Sequence, residues 1–170
     1  MKIKKYSLAS PIGEIVCSFD GAFLVELTIL PEIKKREIEK EDDEFAFQNE
    51  LLAYFSGKLK KFGQKIKFLK GTDFQKKVWL ALLKIPYGEV RSYKWLAGEI
   101  GAPGAARAVG NALNKNPLPL ILPCHRIIAA DGSIGGFGCG TDVKEKLLSI
   151  EKVPARSLKS SIKESKCRKL

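Results

Sequence analysis

Asn116-Pro117-Leu118-Pro119-Leu120-Ile121-Leu122-Pro123-Cys124-His125-Arg126-Ile127-Ile128 holds the densest chemistry of the chain, because the only histidine among its 170 residues directly follows a cysteine. An ordinary thiol of pKa ~8.5 is only a few per cent thiolate at neutral pH, so a nucleophilic cysteine needs a base or a positive potential beside it. His125 is the one imidazole available. The dipeptide alone fits two readings: an activated nucleophile, or an inert buried thiol next to a histidine bonded to backbone. Adjacent residues on an extended strand point to opposite sides, so the two cooperate only through a turn or a bridging water.

Working toward the N-terminus, Ala105 to Leu113 reads as a helix, and Ser92 is placed to cap another that runs to Ile100 and closes at Gly101. Two short helices across the turn Gly101-Ala102-Pro103-Gly104 form a helix-turn-helix pattern. Ala106 and Gly110 share a face of the second helix, and small residues there fit either tight packing or close approach to DNA. Further back, Phe74, Val78, Leu82 and Ile85 form one apolar stripe ended by Pro86-Tyr87-Gly88. Gly71-Thr72-Asp73 makes a boundary ahead of it.

The first seventy residues have a different rhythm. Strands are expected at Lys2 to Leu8, Gly13 to Phe19 and Phe23 to Ile29, with Asp20-Gly21 as a hairpin turn. A charged connector, Glu32 to Glu44, leads to a helix with Phe47, Leu51 and Phe55 on one face and Gly57 as its stop. A short strand is expected at Lys65 to Leu69. The fold class is therefore α+β: a sheet domain over 1–70, a mainly helical domain over 71–153 and a basic tail over 154–170.

Composition narrows the function class. A net charge of +11 points to a polyanionic partner, since each neutralised phosphate releases condensed counterions, although a dispersed solubility charge fits the number equally well. No run approaches the roughly eighteen apolar residues of a membrane span, and the N-terminus lacks the apolar stretch of a signal peptide, so a cytoplasmic protein is expected. Cys17, Cys124, Cys139 and Cys167 are scattered with no C-x-x-C pair, which disfavours zinc ribbons and dithiol redox motifs.

Pro123-Cys124-His125-Arg126-Ile127-Ile128 resembles the active-site hallmark of the O6-alkylguanine-DNA alkyltransferases, also called methylated-DNA–protein-cysteine methyltransferases. The likeness extends to Gly88-Glu89-Val90 with Ser92-Tyr93, to Ala106-Arg107-Ala108-Val109-Gly110, to Asn116-Pro117 and to Gly135-Gly136-Phe137-Gly138. It covers the chain from Phe74 to about Glu151. The resemblance implies a winged helix-turn-helix-like second domain behind a small ribonuclease H-like sheet domain.

It also implies residue roles. Cys124 would accept the alkyl group, His125 would take its proton through a water, Glu151 would orient and charge the imidazole, and Asn116 would tie the helix-turn-helix to this network. Tyr93 would donate a proton to guanine N3. Leu113 and Ile134 would wall the base, the carbonyls of Cys124 and Ile127 would accept from its amine, and Gly135, Gly136, Phe137 and Gly138 would lie against O6. Arg107 would enter the space of the extruded base, with Ala106, Gly110 and Asn111 beside it in the minor groove. The implied partner is duplex DNA bearing O6-alkylguanine, with O4-alkylthymine left open. The protein would act once, as a monomer with cooperativity on DNA undecided, and without any cofactor.

Two departures qualify the likeness. A tyrosine and a serine common in the glycine-rich loop are here Phe137 and Gly138, which leaves only backbone donors near O6. The zinc held by some animal relatives finds no match in a solitary Cys17 and one histidine, so no metal is expected. Two further classes stand as alternatives: a non-catalytic lesion binder, whose relatives lack the cysteine, and an unrelated thiol hydrolase, which leaves Arg107 unexplained.

Overall fold

The computed structural model describes residues 3–30 and 42–154. The connector through residue 41, the basic tail beyond 154 and Cys167 lie outside the described residues. Among the described residues no helix is long and apolar enough to cross a membrane.

Alternating apolar residues build the first half. Strands β1 (Ile3–Ser10), β2 (Gly13–Asp20) and β3 (Phe23–Leu30) form an antiparallel sheet in that order, with the expected turn between Asp20 and Phe23. Ile15, Cys17, Phe19, Leu27 and Ile29 are buried, and helix α1 (Asp42–Phe55) covers them. Its buried face is Phe47, Leu51 and Tyr54; Phe55, expected on that face, is only half-buried, because the next inward position after Leu51 falls three residues on. Phe19 and Phe47 meet edge to face at 6.0 Å.

The strand expected at Lys65 to Leu69 is absent. Only one parallel bridge forms, Leu24 with Ile66, because Leu24 N bonds Lys65 O and Lys67 N bonds Leu24 O. The next donor on that edge, Leu27 N, goes to Pro117 O at 2.8 Å instead. The edge of β3 is thus shared between the segment around Ile66 and the loop that leads to Cys124, which fixes the sheet against the second half.

Thr72 opens helix α2 (Asp73–Ala81) with a capping box: its side chain accepts from Gln75 N while the Gln75 side chain accepts from Thr72 N. The expected apolar stripe to Ile85 tightens to a 3-10 turn over Leu82–Lys84 before Pro86. Strand β4 (Arg91–Ser92) pairs in parallel with β5 (Ile127–Ile128). Helix α3 (Tyr93–Glu99) is capped by Ser92, as expected, and α4 (Ala106–Leu113) follows across the turn. Trp79 of α2 is buried against α4, its Nε1 donating to Ala112 O at 2.8 Å. Helix α5 (Thr141–Ile150) closes the fold with Val143, Leu147 and Leu148 inward. The buried apolar residues form one continuous cluster from Tyr6 to Leu147.

Candidate active site

Cys124, His125 and Arg126 form a 3-10 turn, which resolves the geometric objection to an adjacent cysteine–histidine pair on a strand. The β4–β5 pairing sets this turn beside the start of α3, so Tyr93 comes close to Cys124. All three residues of the turn are buried.

His125 Nε2 lies 2.8 Å from Glu151 Oε1, at the C-cap of α5. Its other ring nitrogen, Nδ1, is buried with no hydrogen-bond partner among the described residues. A carboxylate accepts only, so Nε2 carries the hydrogen and Nδ1 presents a lone pair. Burial holds the His125 pKa below its ordinary value, and the Glu151 contact only partly offsets that. The imidazole is therefore neutral at physiological pH.

Glu151 is the hub. Oε1 accepts from Tyr54 Oη at 2.7 Å and from Arg126 Nη2 at 2.9 Å, and Oε2 accepts from Arg126 Nε at 2.9 Å and Gly88 N at 3.1 Å. Burial raises a carboxyl pKa, but the bonds and charges of His125 and Arg126 outweigh it and bring Glu151 down to about 2. Gly88 has φ +79°, and a Cβ there would stand 3.1 Å from Glu151 O, so the backbone approach needs glycine. Arg126 also donates to Ile85 O at 2.7 Å. The sequence motif contained Arg126 without giving it a task; the structure makes it the counter-charge of the hub.

The sulfur has its own partner. Asn116 Nδ2 donates to Cys124 Sγ at 3.1 Å and to Leu122 O at 2.9 Å, while Asn116 Oδ1 accepts from Leu118 N at 3.0 Å. Burial pushes the Cys124 thiol up to about 11 despite that donor. In the free protein the acceptor is thus a protonated thiol, and deprotonation belongs to the reaction itself.

Around the sulfur, the Tyr93 ring lies between Gly110 of α4 and Gly135 of the loop: a Cβ at Gly110 would sit 3.7 Å from it and one at Gly135 3.8 Å from it and 3.5 Å from the hydroxyl. Gly110 therefore faces Tyr93, which favours packing as its task over DNA contact. Burial first and Cys124 second raise the Tyr93 pKa, so its phenol stays a proton donor. Leu113 and Ile127 are buried, Ile134 is half-buried, and Phe137 meets the His125 ring edge to face at 6.5 Å. Gly136 and Gly138 are exposed. The carbonyls of Cys124 and Ile127 already accept from Ile127 N and Lys144 Nζ, which leaves one lone pair on each. Arg107 and Asn111 of α4 are exposed, and Ala106 is half-buried. Cys139 is a half-buried free thiol.

Lys144 escaped the sequence reading. Its ammonium is buried and donates to Ile127 O and Ile134 O, both at 2.6 Å, and to Gly136 O at 3.3 Å. It thereby ties β5 to the glycine-rich loop and adds positive potential near Cys124. Burial lowers its pKa to about 8, with Cys124 opposing. The signal was a lysine at the position between Val143 and Leu147 on an apolar face, which reads as an interruption unless its carbonyl partners are known.

Fold and site together define a class: a buried cysteine with a histidine–carboxylate relay, built into a helix-turn-helix domain. A family model described as 6-O-methylguanine DNA methyltransferase, DNA binding domain, matches residues 73–153. The methylated-DNA–protein-cysteine methyltransferase of Methanosarcina barkeri is 47% identical over 149 residues, covering 85% of this chain and 94% of that one. The crystal structure of the Mycobacterium tuberculosis O6-methylguanine methyltransferase superposes with TM-score 0.79 at 41% identity, covering 89% and 93% of the two chains. A structure of the Mycobacterium tuberculosis protein in complex with DNA gives 0.77 at 44% identity, covering 86% and 91%. The chain belongs to the methylated-DNA–protein-cysteine methyltransferase family.

Proposed function

We propose that this protein repairs O6-alkylguanine in duplex DNA by moving the alkyl group to Cys124, once per molecule. The observation that carries the reading is a buried His125 Nδ1 with no partner among the described residues, on the residue that follows Cys124 in one 3-10 turn, while Nε2 is held by an ionised Glu151.

The thiol proton passes to Nδ1 through a water, and Glu151 stabilises the resulting imidazolium. Asn116 and Lys144 stabilise the developing thiolate by a hydrogen bond and by charge. The sulfur attacks the alkyl carbon on O6, the carbon–oxygen bond breaks, and its electron pair returns to the purine. Tyr93 supplies a proton at N3, so neutral guanine leaves. The thioether formed is stable, and the relay contains no group that would reverse it.

The target carbon lies inside the stack, so the nucleotide turns out at a cost of a few kcal/mol, lower for a poorly paired base. Arg107, exposed near the start of α4, fills the space left, and Asn111 lies one turn further along the same helix. Leu113, Ile127, Ile134 and the Gly135–Gly138 segment shape the base pocket, whose form the Lys144 bonds maintain. The boundary near residue 70 separates a sheet domain that braces the site from the domain that carries it, and the family match beginning at residue 73 supports it. The test is the mass of the Cys124 peptide after incubation with O6-methylguanine duplex; one added methyl there is expected, and a label on Cys139 instead would refute the assignment.

A further inference from the structure

Helix α1 belongs to the first half of the chain, and Tyr54 in its last turn is fully buried. Its ring packs against Phe55, Phe62 and Tyr87, which would be reason enough for a phenylalanine. A hydroxyl in such a place costs desolvation unless it is bonded, and its partner is Glu151 Oε1 at 2.7 Å, across 97 residues of sequence. That is the same oxygen that holds His125 Nε2.

We propose that Tyr54 is a positioning residue for the reaction: its hydroxyl fixes the Glu151 carboxylate and shares its charge, which makes helix α1 part of the proton relay. The inference rests on the relay reading of Cys124, His125 and Glu151 given above. Arg126 and Gly88 hold Oε2, so without Tyr54 the orientation of Oε1 depends on Arg126 and the imidazole alone. A hydroxyl donor also draws charge away from the oxygen facing His125, which moderates the pull on the imidazole proton. The groups around that ring are Glu151, Arg126 and Tyr54 on the Nε2 side, Lys144 from α5 and the uncharged Phe137 edge, with Cys124 the preceding residue of the same turn. Tyr87 lies beside the same cluster, but its hydroxyl donates to Ile150 O at 3.0 Å and not to the carboxylate.

The chain has one histidine, so 15N-histidine labelling of the full-length protein reports His125 and nothing else. In Tyr54→Phe the ring packing stays and the hydroxyl goes. Its His125 should titrate higher than wild type by about one pH unit, the scale of one lost hydrogen bond to a charged group after partial compensation by Arg126. The acidic limb of the rate of reaction with free O6-benzylguanine should move to higher pH by the same amount. Tyr87→Phe, which removes a neighbouring hydroxyl bonded elsewhere, should leave both curves in place. Superimposed wild-type and Tyr54→Phe titrations, or an equal shift in Tyr87→Phe, would overturn the proposal. Should Tyr54→Phe not fold, the wild-type protein still decides: a slowly exchanging, low-field Tyr54 hydroxyl proton is expected, and its absence counts against the bond. Failure of the alkyl-transfer reading shows separately, as a wild-type protein that gains no methyl group.

Discussion

Glu151 accepts hydrogen bonds from Tyr54, Gly88, His125 and Arg126, and only the charge it carries keeps that arrangement favourable. Replacing it with glutamine leaves Arg126 buried without its counter-charge, a change of about 3–5 kcal/mol in stability when one partner of a buried pair is lost. The imidazole loses its anchor at the same time. Glu151→Gln should therefore lower the melting temperature and slow alkyl transfer by up to roughly 10²–10⁴-fold, the scale of the general-base catalysis by His125 that Glu151 supports; an unchanged single-turnover rate would remove Glu151 from the relay. Lys144→Met keeps length and burial but releases the carbonyls of Ile127, Ile134 and Gly136. Reaction with free O6-benzylguanine should slow with it, and a rate equal to wild type would reduce Lys144 to packing.

At the scale of elements, the Asp20-Gly21 hairpin, the Ser92 cap and the helix-turn-helix were legible because each is a local signal: alternation, a capping residue, a glycine after a helix. Helix α5 carries no such mark at its start. Gly140 precedes it at φ +98° with no side-chain cap, and Lys144 interrupts its apolar face. The strand expected at Lys65 to Leu69 alternates well, yet strand formation needs a free partner edge, and Pro117 has taken it. Cys124, His125 and Glu151 were placed by motif resemblance, whereas the bond from Tyr54 to Glu151 has no local trace in sequence. For α4, Arg107→Ala should slow repair of duplex DNA much more than reaction with the free base, since only the duplex requires extrusion. Equal slowing of both would count against an intercalating role.

For the whole molecule, the buried relay makes stability depend on pH. Glu151 sits at about 2 when folded against 4.5 as an ordinary carboxyl, so its contribution is full above about 4.5 and is lost as pH falls toward 2. His125 acts in the same direction: its folded pKa lies below 6.5, so the unfolded chain takes the proton first and stability starts to fall below that pH. A melting temperature that declines from near pH 6.5 and steepens below 4.5 is expected; a flat profile across that range would mean that neither group is held as the structure shows. The +11 charge acts on a longer scale, and DNA affinity should fall steeply with added salt as counterion release predicts.

All of these depend on the sulfur at position 124 receiving the alkyl group. Mass spectrometry of the protein after one turnover on O6-methylguanine duplex tests this most directly. The peptide containing Cys124 should carry one added methyl group, and Cys124→Ala should carry none while still binding the duplex. An unmodified Cys124 in protein that has cleared the lesion would contradict the account.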